Sequence, residues 1–106
     1  MREICLVRLD RTRPAVVLTR AAARAAMTKV TLAPITSTIR GLSSEVPVGP
    51  ENGLDHACVV AVDNVLTVPV TNLGRTIGYL TAAQEAQLAR AVIVAFDLEL
   101  PLLGQS

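Results

Sequence analysis

Apolar and polar positions alternate through most of the first eighty residues. In 3–9, "EICLVRL", Cys5, Val7 and Leu9 share one face while Ile4 and Leu6 share the other. That pattern predicts a strand buried on both sides for much of its length. "DRTR" follows, and "PAVVLT" then reads as a second strand, opened by a proline whose missing N–H is tolerated there. Only two residues separate Asp10 from Arg13, so the spacing predicts a tight hairpin, although no glycine or asparagine marks the turn.

Further along, "RAAARAAM" (20–27) has high helix propensity but is short, which predicts a helical turn or two. "KVTLAPITST" (29–38) reads as a third strand, with Val30 and Leu32 alternating against Thr31 and Ala33, and Pro34 implies a bend or an edge. Residues 40–56 are rich in turn formers around a short "SEVPV" strand. "ACVVAV", "VLTVPV" and "GRTIGYL" supply further strands.

The periodicity then changes. Thr81 with Gln84 forms a capping box, and Leu88, Ala91, Val92, Ala95 and Phe96 make an apolar stripe, with Gln84, Gln87 and Arg90 expected to face water. The tail "LPLLGQS" is apolar and then expected to fray. Six or seven short strands and a C-terminal helix predict a mainly β fold, a small, strongly bent sheet or barrel with one helix packed on it.

Length and composition narrow this picture. With 106 residues, no repeat and no linker, one domain over 1–106 is expected. A hydrophobic content of 51% allows a real core, and 18% charged residues argue against disorder. No apolar run is long enough for a membrane span, and the charged start "MREIC" does not resemble a secretory signal, so a cytoplasmic location without membrane contact is expected. Cys5 and Cys58 lie far apart without a C-x-x-C pattern, which suits two reduced thiols and no metal site. His56, the single histidine, stands beside a turn, where a structural or solvated role is expected.

Charge distribution says more than net charge. Residues 1–40 carry eight of the ten basic side chains against Glu3 and Asp10, a balance of +6, and the remainder carries −5. Arginine, whose planar fork matches phosphate, dominates over lysine. No Gly-rich phosphate loop, nucleophile elbow or zinc motif is present. Aromatic residues are 2% of the chain, so a base-stacking platform is unavailable. What remains is Arg13 at the mouth of a strand, and Thr36, Ser37, Thr38 and Arg40 leaving the end of another. Hydroxyls and arginines on loops held by strands suit contact with a phosphodiester.

The series "EICLVRLD…RPAVVLTR…VTLAPITSTIRGLSSEVPV…VVAVDNVLTVP…LGRTIGYLTAAQEAQLARAV" resembles the MazF/PemK (Kid) toxins of bacterial type II toxin–antitoxin modules, from Glu3 to about Leu98. The most specific pieces are Arg13-Pro14 opening an apolar strand and the Pro-x-Thr-Ser of 34–37. The resemblance implies an SH3-like small barrel, a homodimer, and an endoribonuclease that cuts single-stranded RNA at short sequences without a metal or other cofactor. It also implies a cognate antitoxin as partner.

By the same resemblance, the arginine of the Arg-Pro motif and the threonine of the Pro-x-Thr motif are catalytic, here Arg13 and Thr36. Arg11, Ser37, Thr38, Arg40, Asp63 and Asn64 are then candidate RNA contacts, with Asp63 also open to a role as base or as turn residue. Three departures stand out. Only "RT" separates Asp10 from Arg13 where many members carry a long loop, Cys5 replaces a first-strand aromatic, and Ala61 replaces an arginine two residues before the aspartate. The rival reading is a non-catalytic toxin on the same barrel that inhibits a protein target such as DNA gyrase. A protein binder has no reason to keep the Arg13/Thr36 pair.

Overall fold

A computed structural model of the chain describes residues 2–99. The first two strands form the expected hairpin, β1 (Glu3–Arg8) antiparallel to β2 (Thr12–Val17), with Ile4 opposite Val16 and Arg8 opposite Thr12. A single helical turn, α1 (Ala21–Arg24), leads into β3 (Lys29–Thr36). Then come β4 (Glu45–Val48), β5 (Cys58–Ala61), β6 (Leu66–Pro69), β7 (Leu73–Tyr79) and the helix α2 (Ala82–Ala95). The strand order is β4-β5-β3-β2-β1-β7, with β6 also paired to β3, and the antiparallel sheet curls into a half-barrel.

Burial on both faces follows from that curl. On β1 and β2, Ile4 and Val16 enter a core with Val46, Val62, Leu80, Leu88 and Ala91 beneath α2. Their neighbours Cys5, Val7, Ala15 and Val17 enter a second cluster with Val30, Leu32 and Val68. Each fully buried Val or Leu contributes about 1.5–3 kcal/mol, so alternation with apolar residues on both faces is what holds these short strands. Both cysteines are free and buried, as expected of packed thiols.

Several expectations are corrected. Of the bend or edge that Pro34 implies, no edge forms, because β3 has partners on both sides. It faces Ala15 of β2 on one side, while on the other β3 pairs with β6 over 29–32 and with β5 over 35–36. Residues 33 and 34 fall where one partner gives way to the other, so the missing N–H is tolerated there. The segments read as strands over 57–62 and 65–70 are shorter, because 3-10 turns take Val62–Asn64 and Val70–Asn72.

On α2, the Thr81/Gln84 capping box forms, but Gln84 does not face water. Its side chain lies in a closed network with the fully buried Asn52, accepting from Asn52 Nδ2 at 2.6 Å and donating to Asn52 Oδ1 at 3.1 Å and to the Pro47 carbonyl at 3.2 Å. Phe96 leaves the predicted stripe and is 53% exposed, since it caps the helix where the chain turns away. The tail from residue 100 onward lies outside the described residues.

The Asn52 turn also explains two glycines. A Cβ on Gly53 would stand 2.0 Å from the Ile77 carbonyl oxygen, and one on Gly78 would stand 1.9 Å from that of Asn52. The 3-10 turn Pro50–Asn52 therefore lies backbone to backbone on β7, locking the start of α2 behind the sheet.

Candidate active site

The register of β2 with β3 sets Ala15 opposite Pro34. Carried two residues further, it brings Arg13 opposite Thr36, at the end of β3 where the chain leaves the sheet. Both line a cavity of about 430 Å³ and a neighbouring one of about 510 Å³. Together with Ile35 and Thr38 they form the ridge the two cavities share.

The first cavity has a floor of Pro34, Ile35, Ala61 and Leu66, and a polar wall that includes Arg40, Glu45, Asp63 and Asn64. The second adds Arg11, Ser37, His56 and Cys58. Every candidate RNA contact thus meets one cavity or the other: Arg40, Asp63 and Asn64 on one side of the ridge, Arg11 and Ser37 on the opposite side, Thr38 on both.

Local bonding prepares these groups. The Arg13 guanidinium donates Nε–H to Asp10 Oδ1 and Nη2–H to Asp10 Oδ2, each at 3.0 Å. Among the described residues, Nη1 and one N–H of Nη2 have no acceptor. This fork holds the Asp10 carboxyl down at about 2 and pushes Arg13 further up. Thr36 Oγ1 accepts the Thr38 N–H at 3.1 Å, a turn bond that leaves its own hydroxyl proton free to donate. Asp63, on the 3-10 turn after β5, accepts from the hydroxyl of the buried Ser44, which leaves its other oxygen open.

The N-terminal excess of cations divides in two. Arg2 donates to the carbonyls of Val17 and Leu18, Arg13 pairs with Asp10, and Arg24 pairs with Glu3. Arg8, Arg11, Arg20, Lys29 and Arg40 are exposed. Two of these exposed cations, Arg11 and Arg40, therefore flank the ridge on opposite sides.

Sequence reasoning missed Asp10, Ser44 and Glu45, and did not bring His56 to the site. Asp10 had a signal, since a tight hairpin with an acid three residues before an arginine sets the two within reach. Ser44 and Glu45 offered none beyond a strand start, because their partners come from a distant turn and from the backbone. Burial of the Cys58 thiol raises its pKa, with a smaller push from the Asp55 charge. Among the described residues no group of three or more His, Cys, Asp or Glu gathers as a metal centre would.

A model of PemK-like, MazF-like toxins of type II toxin–antitoxin systems matches residues 2–96. The chain belongs to that family. It is 54% identical over 99 residues to Endoribonuclease MazF3 of Mycobacterium tuberculosis, covering 93% of this chain and 96% of that protein. The solved structure of the Mycobacterium tuberculosis toxin MazF-mt6 is 52% identical, with a TM-score of 0.91 over 93% of this chain and all of that one. An endoribonuclease in complex with its cognate antitoxin, from a mycobacterial species, superposes with a TM-score of 0.82 at 25% identity, covering 93% and 95% of the two chains. The Arg-Pro and Pro-x-Thr pieces of this MazF-like chain are thus the two that meet across β2 and β3.

Proposed function

We propose that this chain is a sequence-specific endoribonuclease toxin that cuts single-stranded RNA and is silenced by a cognate antitoxin. The observation that supports this most is the meeting of Arg13 and Thr36 on a ridge between two polar-walled cavities. A ridge flanked on both sides suits a chain that passes over it, with one nucleotide on each side of the reacting phosphate.

The reaction needs no group beyond the chain and the RNA. The 2′-oxygen forms a bond to phosphorus while the bond from phosphorus to the 5′-oxygen breaks. The 2′-hydroxyl proton passes to an acceptor, and the leaving 5′-oxygen keeps the bond's electron pair and takes a proton. The products are a 2′,3′-cyclic phosphate and a 5′-hydroxyl. Charge builds on the non-bridging oxygens, where the free N–H groups of Arg13 stabilise it more than in the ground state. Thr36 donates to the same phosphoryl group and holds it in line. The open oxygen of Asp63 and the ring of His56, one on each side, are the groups on hand for proton transfer.

Two partners complete the reading. An acidic antitoxin segment laid over Arg11, Arg13 and Arg40 would neutralise the cationic face and block the ridge. Large exposed apolar side chains, Ile39, Leu42 and Tyr79 among them, suit a homodimer, so sedimentation should give twice the 11.2 kDa chain mass. The deciding experiment is incubation of the purified protein with a long mixed-sequence RNA in excess EDTA, with end-mapping of the products. Cyclic-phosphate ends at a recurring short sequence support the proposal. Uncut RNA counts against it and favours a toxin that acts by binding protein, and 5′-phosphate ends count against attack by the 2′-oxygen.

A further inference from the structure

Glu45 lines the first cavity, yet its carboxylate is occupied by the backbone of its own chain. Oε1 accepts the N–H groups of three successive residues: Arg40 at 3.2 Å, Gly41 at 2.9 Å and Leu42 at 3.2 Å. Oε2 adds one longer contact to the Arg40 N–H at 3.4 Å. Three consecutive amides converge on one oxygen only when the backbone curls into an anion-binding nest, and Gly41, at a φ of +74°, supplies the left-handed residue that the curl requires. The Glu45 N–H closes the same turn by donating to the Leu42 carbonyl at 3.1 Å.

We propose that Glu45 is a positioning residue that sets where Arg40 stands over the cavity, and so how tightly and how selectively RNA binds there. The inference rests on the RNA-cleaving function proposed above. Arg40 is exposed, and among the described residues no acceptor holds its guanidinium. Its placement therefore depends on its backbone, which Glu45 fixes from β4. The neighbouring Ser44 holds Asp63. Adjacent residues, Ser44 just before β4 and Glu45 at its start, thus hold two groups of the cavity's polar wall. A carboxylate at this site invites the other assignment, proton acceptor in the reaction. Three amides take up Oε1, which leaves only Oε2, with its one long contact, for that role.

The two roles separate on substitution. One oxygen does most of the holding, and an amide oxygen can replace it. Glu45→Gln therefore keeps kcat within about twofold, with KM equal or lower because a negative charge near RNA is gone. Glu45→Ala raises KM about tenfold, leaves kcat within roughly threefold, and relaxes the cleavage sequence on one side of the cut. Gly41→Val, which disfavours the left-handed backbone and leaves the carboxylate intact, shifts KM in the same direction. Amide exchange at residues 40–42, followed by NMR, speeds up in Glu45→Ala and not in Glu45→Gln.

Glu45→Gln as inactive as Glu45→Ala would overturn the proposal and make the carboxylate a proton acceptor. Unchanged or lower KM in Glu45→Ala, or unchanged exchange at 40–42, would overturn it as well. If the wild-type protein cuts no RNA, the endoribonuclease reading fails, and the exchange measurement still judges the loop-holding role separately.

Discussion

Arg13 and Asp10 meet in a two-point fork across the β1–β2 turn, Nε to Oδ1 and Nη2 to Oδ2, both at 3.0 Å. A loop of only a few residues leaves Asp10 little choice of partner, and the fork fixes the plane of the guanidinium. The free N–H groups then keep one direction before any substrate arrives. The shortness of the first loop and the aim of Arg13 are thus one feature.

The fork has a signature in acid. Because the Arg13 hydrogen bond holds the Asp10 carboxyl at about 2, below its ordinary 3.8, the pair favours the folded state above the ordinary value. That contribution is lost as pH falls through about 2. An NMR titration should find the Asp10 carboxyl near 2 in the wild type and near the ordinary aspartate value, about 4, in Arg13→Ala. An ordinary value in the wild type would mean that the fork does not form in solution.

Removing the carboxylate should loosen the aim without removing the cation. Asp10→Ala is expected to lower kcat about tenfold, well short of the loss on deleting Arg13 itself. Single-turnover cleavage reads this directly. A faster Asp10→Ala enzyme would show instead that Asp10 holds Arg13 back from the phosphate.

Stability should respond most sharply behind the site. Asn52 is fully buried, with its amide donating to Gln84 Oε1 and to the Tyr79 carbonyl and its oxygen accepting from Gly49 and Gln84. Asn52→Leu takes one buried partner from each of those groups, a cost of about 3 kcal/mol in urea unfolding. A change within experimental error would show that the network can be rebuilt around an apolar side chain.

How far the sequence could be read follows from what kind of contact each residue makes. The β1–β2 hairpin and the two-faced burial of Ile4 and Cys5 were legible because alternation is a local property. The Thr81 capping box was legible for the same reason. Gln84 was misread because its burial depends on Asn52, which is 32 residues away in the chain. Asp63 was legible as a candidate, but its support by Ser44 was not, since strand pairing alone brings the two together. Arg13 and Thr36 were legible as a strand-mouth cation and a strand-end hydroxyl, and their catalytic roles entered through family resemblance. Their meeting depends on the β2–β3 register, which no single segment encodes.

In the proposed reaction Arg13 stabilises charge on the phosphoryl oxygens, with Thr36 as a weaker second donor. The most direct test is single-turnover cleavage of a single-stranded RNA by wild type, Arg13→Ala and Thr36→Ala, each shown folded by circular dichroism. Arg13→Ala should cut about 10²–10³-fold more slowly, and Thr36→Ala should lose less, because a neutral donor binds a charged oxygen more weakly. A folded Arg13→Ala protein that cuts at the wild-type rate would contradict the claim.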